Sequence, residues 1–372
     1  MRILMLNYEF PPLGGGAGNA NYYLLKEFAQ EKDLQIDLVT SSVGAFKKEE
    51  FAENITIHYL DIGKGNKNFH YQTNKDLLIY SFKSYFYSRK LIKQQQYDFI
   101  HAWFGIPCGF TAMLFKKPYL VALRGSDVPF YNPRFKLLDK LFFKQLSRLI
   151  WKRAQVVVAN SQGLKDLALK TNPKQKIEVI YNGVDTNHFK PAKRKKASKA
   201  LRIICVARLV ERKGVKYLLK SLTELKKVDF KLTIIGEGNQ KKQLEELAKE
   251  LKIDKKVSFL GAAPHQELVQ HYQQHDIFVL PSLNEGMSNT VLEAMACGLA
   301  IIMTDVGGAR ELVNENGFLV RVKTITDFTI SIDAYHNKSL LQRHQKASRA
   351  MAEQLGWNFV SQRYKGVYTQ IS

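Results

Sequence analysis

The sequence predicts an α/β protein of two Rossmann-like domains in tandem, each a parallel sheet covered by helices, facing one another across a cleft. Three observations carry this. The chain has 372 residues, more than one hydrophobic core usually holds. Short apolar runs of β character alternate with runs of helical period from end to end, as in strand–helix–strand units. The alternation breaks at 190–199, where six residues in ten are basic and Pro191 interrupts. The linker is placed there, giving domains at 1–189 and 190–356.

In the first half, 3–7 reads as a strand, followed by a Gly-rich turn and a helix over 19–29. Strands follow at 35–40 and 55–60, then a helix at 75–93. The runs 98–103, 119–123, 155–159 and 177–181 are further strands, with helices between them. The second half repeats the pattern, with strands at 203–207, 231–235, 256–260, 276–280 and 300–304, each followed by a helical run. These strands are short and continuously apolar, as expected where both sheet faces are covered.

Composition narrows the class. Hydrophobic residues make up 45% of the chain, ordinary for a globular protein, and no apolar run reaches the ~18 residues of a membrane span. The opening MRILMLNYEFPP is too short an apolar stretch for a signal peptide. Cys108, Cys205 and Cys297 are scattered in apolar surroundings without metal spacing, which predicts reduced core thiols in a cytosolic protein. The net charge is +22. Such an excess calls for a polyanionic partner or serves solubility alone. No nucleic-acid motif is recognisable and the basic runs do not alternate with aromatics, so nucleic acid is not the expected partner.

The densest chemistry lies at 284–298, NEGMSNTVLEAMACG. A buried strand precedes it, a helical run starting near Thr290 follows, and Gly298 fits the stop. Thr290 and Glu293 read as a capping box, or the N-cap lies a residue or two earlier. The loop lies at the carboxyl end of a parallel strand, where open α/β sheets bind ligands, and the helix N-terminus suits an anion. Glu285 at the loop mouth and Glu293, eight residues on, suit hydroxyls. A diphosphate joined to a polyol is a nucleotide sugar. Arg208 and Lys213, in ARLVERKGVKYLL, follow the first strand of the second half. They suit the charge that develops on a leaving diphosphate. No Asp-x-Asp metal motif occurs, so no metal is expected.

Other candidates are less specific. Gly14, Gly15 and Gly16 fit a turn that admits a phosphate, or a tight turn alone; Asn19 stands where a dinucleotide fingerprint needs glycine. Arg124 cannot act as a base; it suits a phosphate or carboxylate. Asp127 pairs with it or binds acceptor hydroxyls. His101 is an acceptor-side candidate or a packed, hydrogen-bonded side chain. His265, His271 and His275 lack zinc-site companions and read as surface histidines. At 134–153, Lys136, Lys140, Lys144, Arg148 and Lys152 recur at i+4 beside Leu137, Leu138, Leu141, Phe142, Leu146, Leu149 and Ile150. That is either a docking helix for an anionic membrane surface or a core-covering helix with a basic face.

The stretch PSLNEGMSNTVLEAMACGLAIIMTDVGGAREL resembles the E-x7-E signature of retaining glycosyltransferases of family four, which have the GT-B fold. The resemblance spans nearly the whole chain. It implies a hexosyltransferase-type enzyme with a UDP or GDP sugar as co-substrate, no other cofactor, and a glycan or lipid-linked acceptor in surface polysaccharide or glycolipid synthesis. It would work in the cytoplasm, peripherally at the cytoplasmic membrane face. Glu285 would hold the donor sugar with backbone N–H groups of Met287, Ser288 and Asn289, near Thr290. Glu293 would hold the ribose, and Ala263 and His265 the base. Arg208 and Lys213 would hold the diphosphate, and Gly15 and Gly16 would face the donor. Arg124 stands where many members have a histidine near the donor sugar. The segment 181–189 looks like the family's interdomain junction, and 357–372 like the last helix, which returns to the first domain. Another GT-B activity, an epimerase or phosphorylase, is the nearest alternative. A nucleic-acid-binding protein is the alternative from another class.

Overall fold

The structure, a computed structural model, describes residues 1–65, 72–131, 136–192 and 198–371, without the side chain of Lys136. Arg134 of the basic helix and residues 193–197 of the expected linker lie outside the described residues. The chain divides into two units: Met1–Asn182 with Trp357–Ser372, and Gly183–Gly356. The first crossing thus precedes the expected break after 189. The reason is local. Val184 donates its N–H to Leu355 O (2.8 Å), and the Phe189 ring packs against Tyr272 and His265, so 183–189 is held by the second unit.

Unit 1 is built on β1 (Arg2–Leu6), β2 (Gln35–Ser42), β3 (Lys47–Ala52), β4 (Ile55–Asp61), β5 (Phe99–Trp103), β6 (Tyr119–Leu123), β7 (Val156–Ala159) and β8 (Glu178–Val179). Their order is β3-β4-β2-β1-β5-β6-β7-β8, parallel except for antiparallel β3–β4. Strands β5 and β6 are buried at every residue, as central parallel strands must be. The sequence pattern missed β3, KKEEFA, because it lacks apolar alternation. Its charged residues face water at the sheet edge, where charge blocks further pairing.

The helices of unit 1 are α1 (Gly16–Phe28), α2 (Asn74–Gln94), α3 (Phe110–Met113), α4 (Lys136–Leu138), α5 (Lys144–Arg153) and α6 (Gln162–Thr171). The expected start of α1 at 19 moves back to Gly16, because Asn19 already donates to Gly15 O (3.1 Å). Helix α2 opens with a capping box between Thr73 and Asp76. The handedness rule for parallel crossovers expects α1 on one sheet face and the helices after β4 on the other; in keeping with this, α2 touches α3, α3 touches α5, and α5 touches α6.

The basic helix differs from its expected form. A π-helical turn at Asp139–Phe143 joins α4 to α5, so the i+4 stripe of basic residues is not continuous. Its buried anchor is Asp139, which accepts the Phe130 N–H (2.8 Å). With Asp139 turned inward, Leu137, Leu138, Leu141 and Phe142 are exposed. The core-covering alternative is therefore wrong for this half of the helix; only Ser147, Ile150 and Trp151 of α5 are buried.

Unit 2 is built on β9 (Leu201–Val206), β10 (Phe230–Ile235), β11 (Val257–Phe259), β12 (Ile277–Leu280), β13 (Ala300–Thr304) and β14 (Gly317–Val320), ordered β11-β10-β9-β12-β13-β14 and all parallel. Only β14, a four-residue run, escaped the sequence reading. Helices α7 (Val215–Leu222), α8 (Lys241–Glu250), α9 (Leu268–Gln273), α10 (Asn289–Ala296), α11 (Ala309–Leu312), α12 (Ile325–Asp333) and α13 (Lys338–Glu353) complete the unit. The last helix, α14 (Trp357–Ile371), belongs to unit 1, where it packs on α1 and stacks Trp357 on Tyr23. Cys108, Cys205 and Cys297 are buried free thiols. No described helix is long and apolar enough to cross a membrane.

Candidate active site

Strand order reverses between β9 and β12 in unit 2. Loops leaving the carboxyl ends of such neighbours diverge and open a crevice. The two loops here carry the strongest sequence candidates. After β9 and the exposed Arg208, a 3-10 turn spans Glu211–Lys213 and ends at Gly214 with φ +63°. A Cβ at Gly214 would lie 2.1 Å from Pro281 O, so only glycine lets this turn lie against the end of β12. Leu283 N–H to Arg212 O (2.7 Å) then ties the two loops together.

The result is a compact charged cluster. The Lys213 ammonium pairs with Glu285 Oε1, and the Ser282 hydroxyl donates to the same oxygen (2.6 Å). The Thr304 hydroxyl in turn donates to Ser282 O. Glu285 is buried. Burial alone would raise its pKa, but the Lys213 charge and the Lys213 and Ser282 hydrogen bonds hold it below the usual value. Its other oxygen, Oε2, has no partner among the described residues. Behind the cluster Gly307, at φ +56°, brings its backbone so close that a Cβ would lie 1.9 Å from Glu285 O.

Helix α10 begins next to this cluster. Its N-cap is Ser288, without a side-chain cap; the Ser288 and Thr290 hydroxyls bond to each other (3.1 Å). The expected capping box between Thr290 and Glu293 is therefore wrong: the helix starts earlier, and Glu293 points inward. Glu293 is buried, with Oε1 on His265 Nε2 (2.8 Å) and Oε2 accepting from the Tyr272 hydroxyl (2.9 Å). A carboxylate accepts about four hydrogen bonds, so each oxygen keeps capacity for a hydroxyl. Burial lowers the His265 pKa, but the Glu293 bond and charge outweigh it and leave it raised. Gly298 at φ +71° ends α10: its N–H meets Met295 O (2.9 Å) and Leu299 N–H meets Ala294 O (3.0 Å), a Schellman stop. Met287 and Ser288 are buried, Asn289, Thr290 and Ala263 partly so. His275, read as a surface histidine, is instead buried between the His271 carbonyl (2.6 Å) and the Thr233 hydroxyl (2.8 Å).

The unit 1 candidates lie in a different environment. Around the Gly-rich turn, the Glu9 carboxylate accepts the Gly15 N–H (3.3 Å), next to Gly16. His101 is fully buried, shares a hydrogen bond with the Tyr368 hydroxyl (2.8 Å) and stacks on Trp103. Burial, then the Arg124 charge, push its pKa well down. Arg124 lays its guanidinium over Trp103 at 3.7 Å and donates to Asn182 Oδ1 and the Tyr364 hydroxyl, both at 2.8 Å. It forms no ion pair with Asp127. That carboxylate accepts backbone N–H groups of Gly105 (2.7 Å), Arg124 and Gly125 (both 2.9 Å), and burial raises its pKa.

Sequence reasoning missed Ser282, Tyr272 and Phe189. Ser282 carried a usable signal, three residues before Glu285 at the end of a buried strand. Tyr272 and Phe189 carried none, because their contacts with Glu293 and His265 are long-range.

Comparison with known proteins places the chain in a family. Residues 14–188 match the model described as Glycosyltransferase Family 4, and residues 186–353 the model described as Glycosyl transferases group 1. The chain is 30% identical over 317 residues to the N,N'-diacetylbacillosaminyl-diphospho-undecaprenol alpha-1,3-N-acetylgalactosaminyltransferase of Campylobacter jejuni, covering 78% of this chain and 81% of that one. Its fold is similar to that of sucrose-phosphate synthase from Thermosynechococcus elongatus, with a TM-score of 0.86 at 19% identity over 100% of this chain and 99% of that one. It is also similar to Anabaena HepE, solved in complex with UDP-glucose, with a TM-score of 0.74 at 20% identity over 99% of both chains. With two parallel sheets matching GT-B structures and both family models in place, the chain belongs to the family 4 glycosyltransferases.

Proposed function

We propose that the chain is a retaining glycosyltransferase that moves a sugar from a UDP or GDP sugar to a glycan or lipid-linked acceptor in surface polysaccharide or glycolipid synthesis. The observation that carries this is the buried Lys213–Glu285–Ser282 cluster at the reversal point of unit 2, beside the uncapped start of α10. Glu285 Oε2 accepts a donor-sugar hydroxyl. Lys213, Arg208 and the first turn of α10 meet the negative charge as the diphosphate departs. Glu293, steadied by His265 and Tyr272, accepts the ribose hydroxyls, with Ala263 at the base. Glu285 is engaged with Lys213 and Ser282 through Oε1 and is assigned to the donor sugar through Oε2, which favours attack from the leaving-group face, the departing phosphate taking the acceptor proton. HepE, solved with UDP-glucose, supports the donor class. The Campylobacter relative, named for a diphospho-undecaprenol substrate, supports a lipid-linked acceptor. Acceptor binding is assigned to unit 1, with Asp127 and His101 ordering its loops, and an anionic membrane surface to the exposed basic-apolar face of 137–153.

The test is nucleotide release with a panel of nucleotide sugars. Arg208→Ala lowers kcat by about 10²–10³-fold and leaves the Tm nearly unchanged, because Arg208 is exposed. Unchanged turnover removes Arg208 from the site.

A further inference from the structure

Helix α2 presents its apolar residues to water. Its buried residues are Tyr80, Ser84, Ser88 and Leu91, while Leu78, Phe82 and Phe86 are 71%, 67% and 51% exposed. These three recur at i+4 and so form one stripe, and the Phe82 and Phe86 rings meet at 4.7 Å. Beside them Phe46 is 51% exposed. An amphipathic helix that covers a core has the opposite arrangement. The stripe is not loosely hung: Tyr85 stacks on Phe115 at 5.2 Å, and the Tyr87 hydroxyl bonds to buried His58 (2.9 Å).

The charges around the stripe are mostly positive, Asp61 beside Lys83 at the edge of one groove being the acidic neighbour. Lys83, Arg89, Lys90 and Lys93 are exposed along the same helix. Its one acidic residue, Asp76, is taken by Lys64 and the Thr73 cap. A shallow groove of about 520 Å³ runs between Phe86 and the cations Arg89, Lys90 and Lys93. A second, of about 480 Å³ and mostly apolar, is walled by Phe46, Phe82 and Phe86. Aromatic side chains interleaved with cations suit a surface that is anionic outside and apolar beneath. Two copies of this chain meeting here would oppose like charges, on a molecule of net charge +22.

We propose that the outer face of α2 docks on an anionic lipid bilayer, with Leu78, Phe82, Phe86 and Phe46 entering the interface and Arg89, Lys90 and Lys93 holding lipid phosphates. This extends the membrane role proposed for 137–153 to a second helix of the same layer. Between the two, Leu114 at the end of α3 is also exposed.

The test is sedimentation of the full chain with phosphatidylcholine vesicles, with and without equimolar phosphatidylglycerol, at low and near-physiological salt. Wild type binds the anionic vesicles and leaves the neutral ones. Phe82→Ser/Phe86→Ser weakens binding at least about tenfold. Arg89→Glu/Lys90→Glu/Lys93→Glu weakens it roughly a hundredfold or more, the loss shrinking as salt rises. Both variants keep the wild-type Tm and nucleotide release on a soluble acceptor, because these side chains are exposed. Lys140→Glu/Lys144→Glu reports the other helix separately. Wild-type affinity in both α2 variants overturns the proposal. Equal binding to both vesicle types overturns it too, as does a stripe that only shifts the oligomeric state without vesicles. A chain that binds anionic vesicles yet releases no nucleotide from any donor would leave the docking face standing and remove the transferase reading.

Discussion

The two sheets of this chain each reverse strand order once, β1 against β5 in unit 1 and β9 against β12 in unit 2, yet the loops above the two reversals are filled differently. Above β9 and β12 lie two charge-coupled contacts, Lys213 with Glu285 and His265 with Glu293. Above β1 and β5, the Tyr8 and Phe104 rings pack at 4.5 Å and Glu9 lies against the Gly15 N–H. The charged candidates of unit 1, Arg124 and Asp127, bind backbone, amide and phenol groups of their own unit. The same topology thus holds paired charges above one reversal and packed rings above the other, and strand order alone does not say which.

Substitution separates the two. The largest effect is expected in unit 2: Glu285→Gln keeps the shape, removes the charge facing Lys213, and lowers kcat by about 10²–10³-fold. A turnover within a few-fold of wild type would break the comparison. Acid comes next. His275 is pushed down to about 4 from the usual 6.5 by burial, which outweighs the opposing His271 carbonyl bond and Asp276 charge. The unfolded chain therefore takes the proton first. The stabilisation is whole above about pH 6.5 and is lost as pH falls towards 4, by about 3 kcal/mol at ~1.4 kcal/mol per pH unit. Urea midpoints between pH 7 and 4.5 should fall less steeply in His275→Gln than in wild type; parallel curves would refute it. His101 acts with the same sign in unit 1. The smallest expected effect is Arg124→Ala, a loss of about 2 kcal/mol for its charged hydrogen bonds, read as a lower Tm. A large fall in kcat at unchanged Tm would instead move Arg124 into the chemistry.

How much was legible follows from the range of the contacts. Unit 2 was readable because its motif residues lie within one strand–loop–helix stretch, and Gly298 stops α10 by backbone geometry alone. The Arg208–Lys213 turn was readable as charge but not as a partner of Glu285, since Gly214 against Pro281 O is a contact between distant segments. The capping box failed because Glu293 has partners on α9 and the turn before it, and these outweigh the local cap. In unit 1 the i+4 stripe of 134–153 misled, because Asp139 anchors the Phe130 N–H and a π-helical turn shifts the faces. On α2 the sequence reading gave a helix and no face. Tyr80, Ser84, Ser88 and Leu91 mark the face that meets the sheet, and two of them are small and polar.

The return of α14 has a consequence for synthesis on the ribosome. Unit 2 is one uninterrupted segment, Gly183–Gly356, and all of it has been translated before Trp357 is reached. Unit 1 is made first but finished last. Arg124 and His101 wait for Tyr364 and Tyr368, more than two hundred residues downstream. Until then a guanidinium and an imidazole destined for burial lack their phenol partners, while a complete neighbour has already emerged. Contacts of such sequence separation form late. A chain that stops before Trp357 would therefore carry an intact unit 2 on an unfinished unit 1, in which α14 has yet to pack on α1.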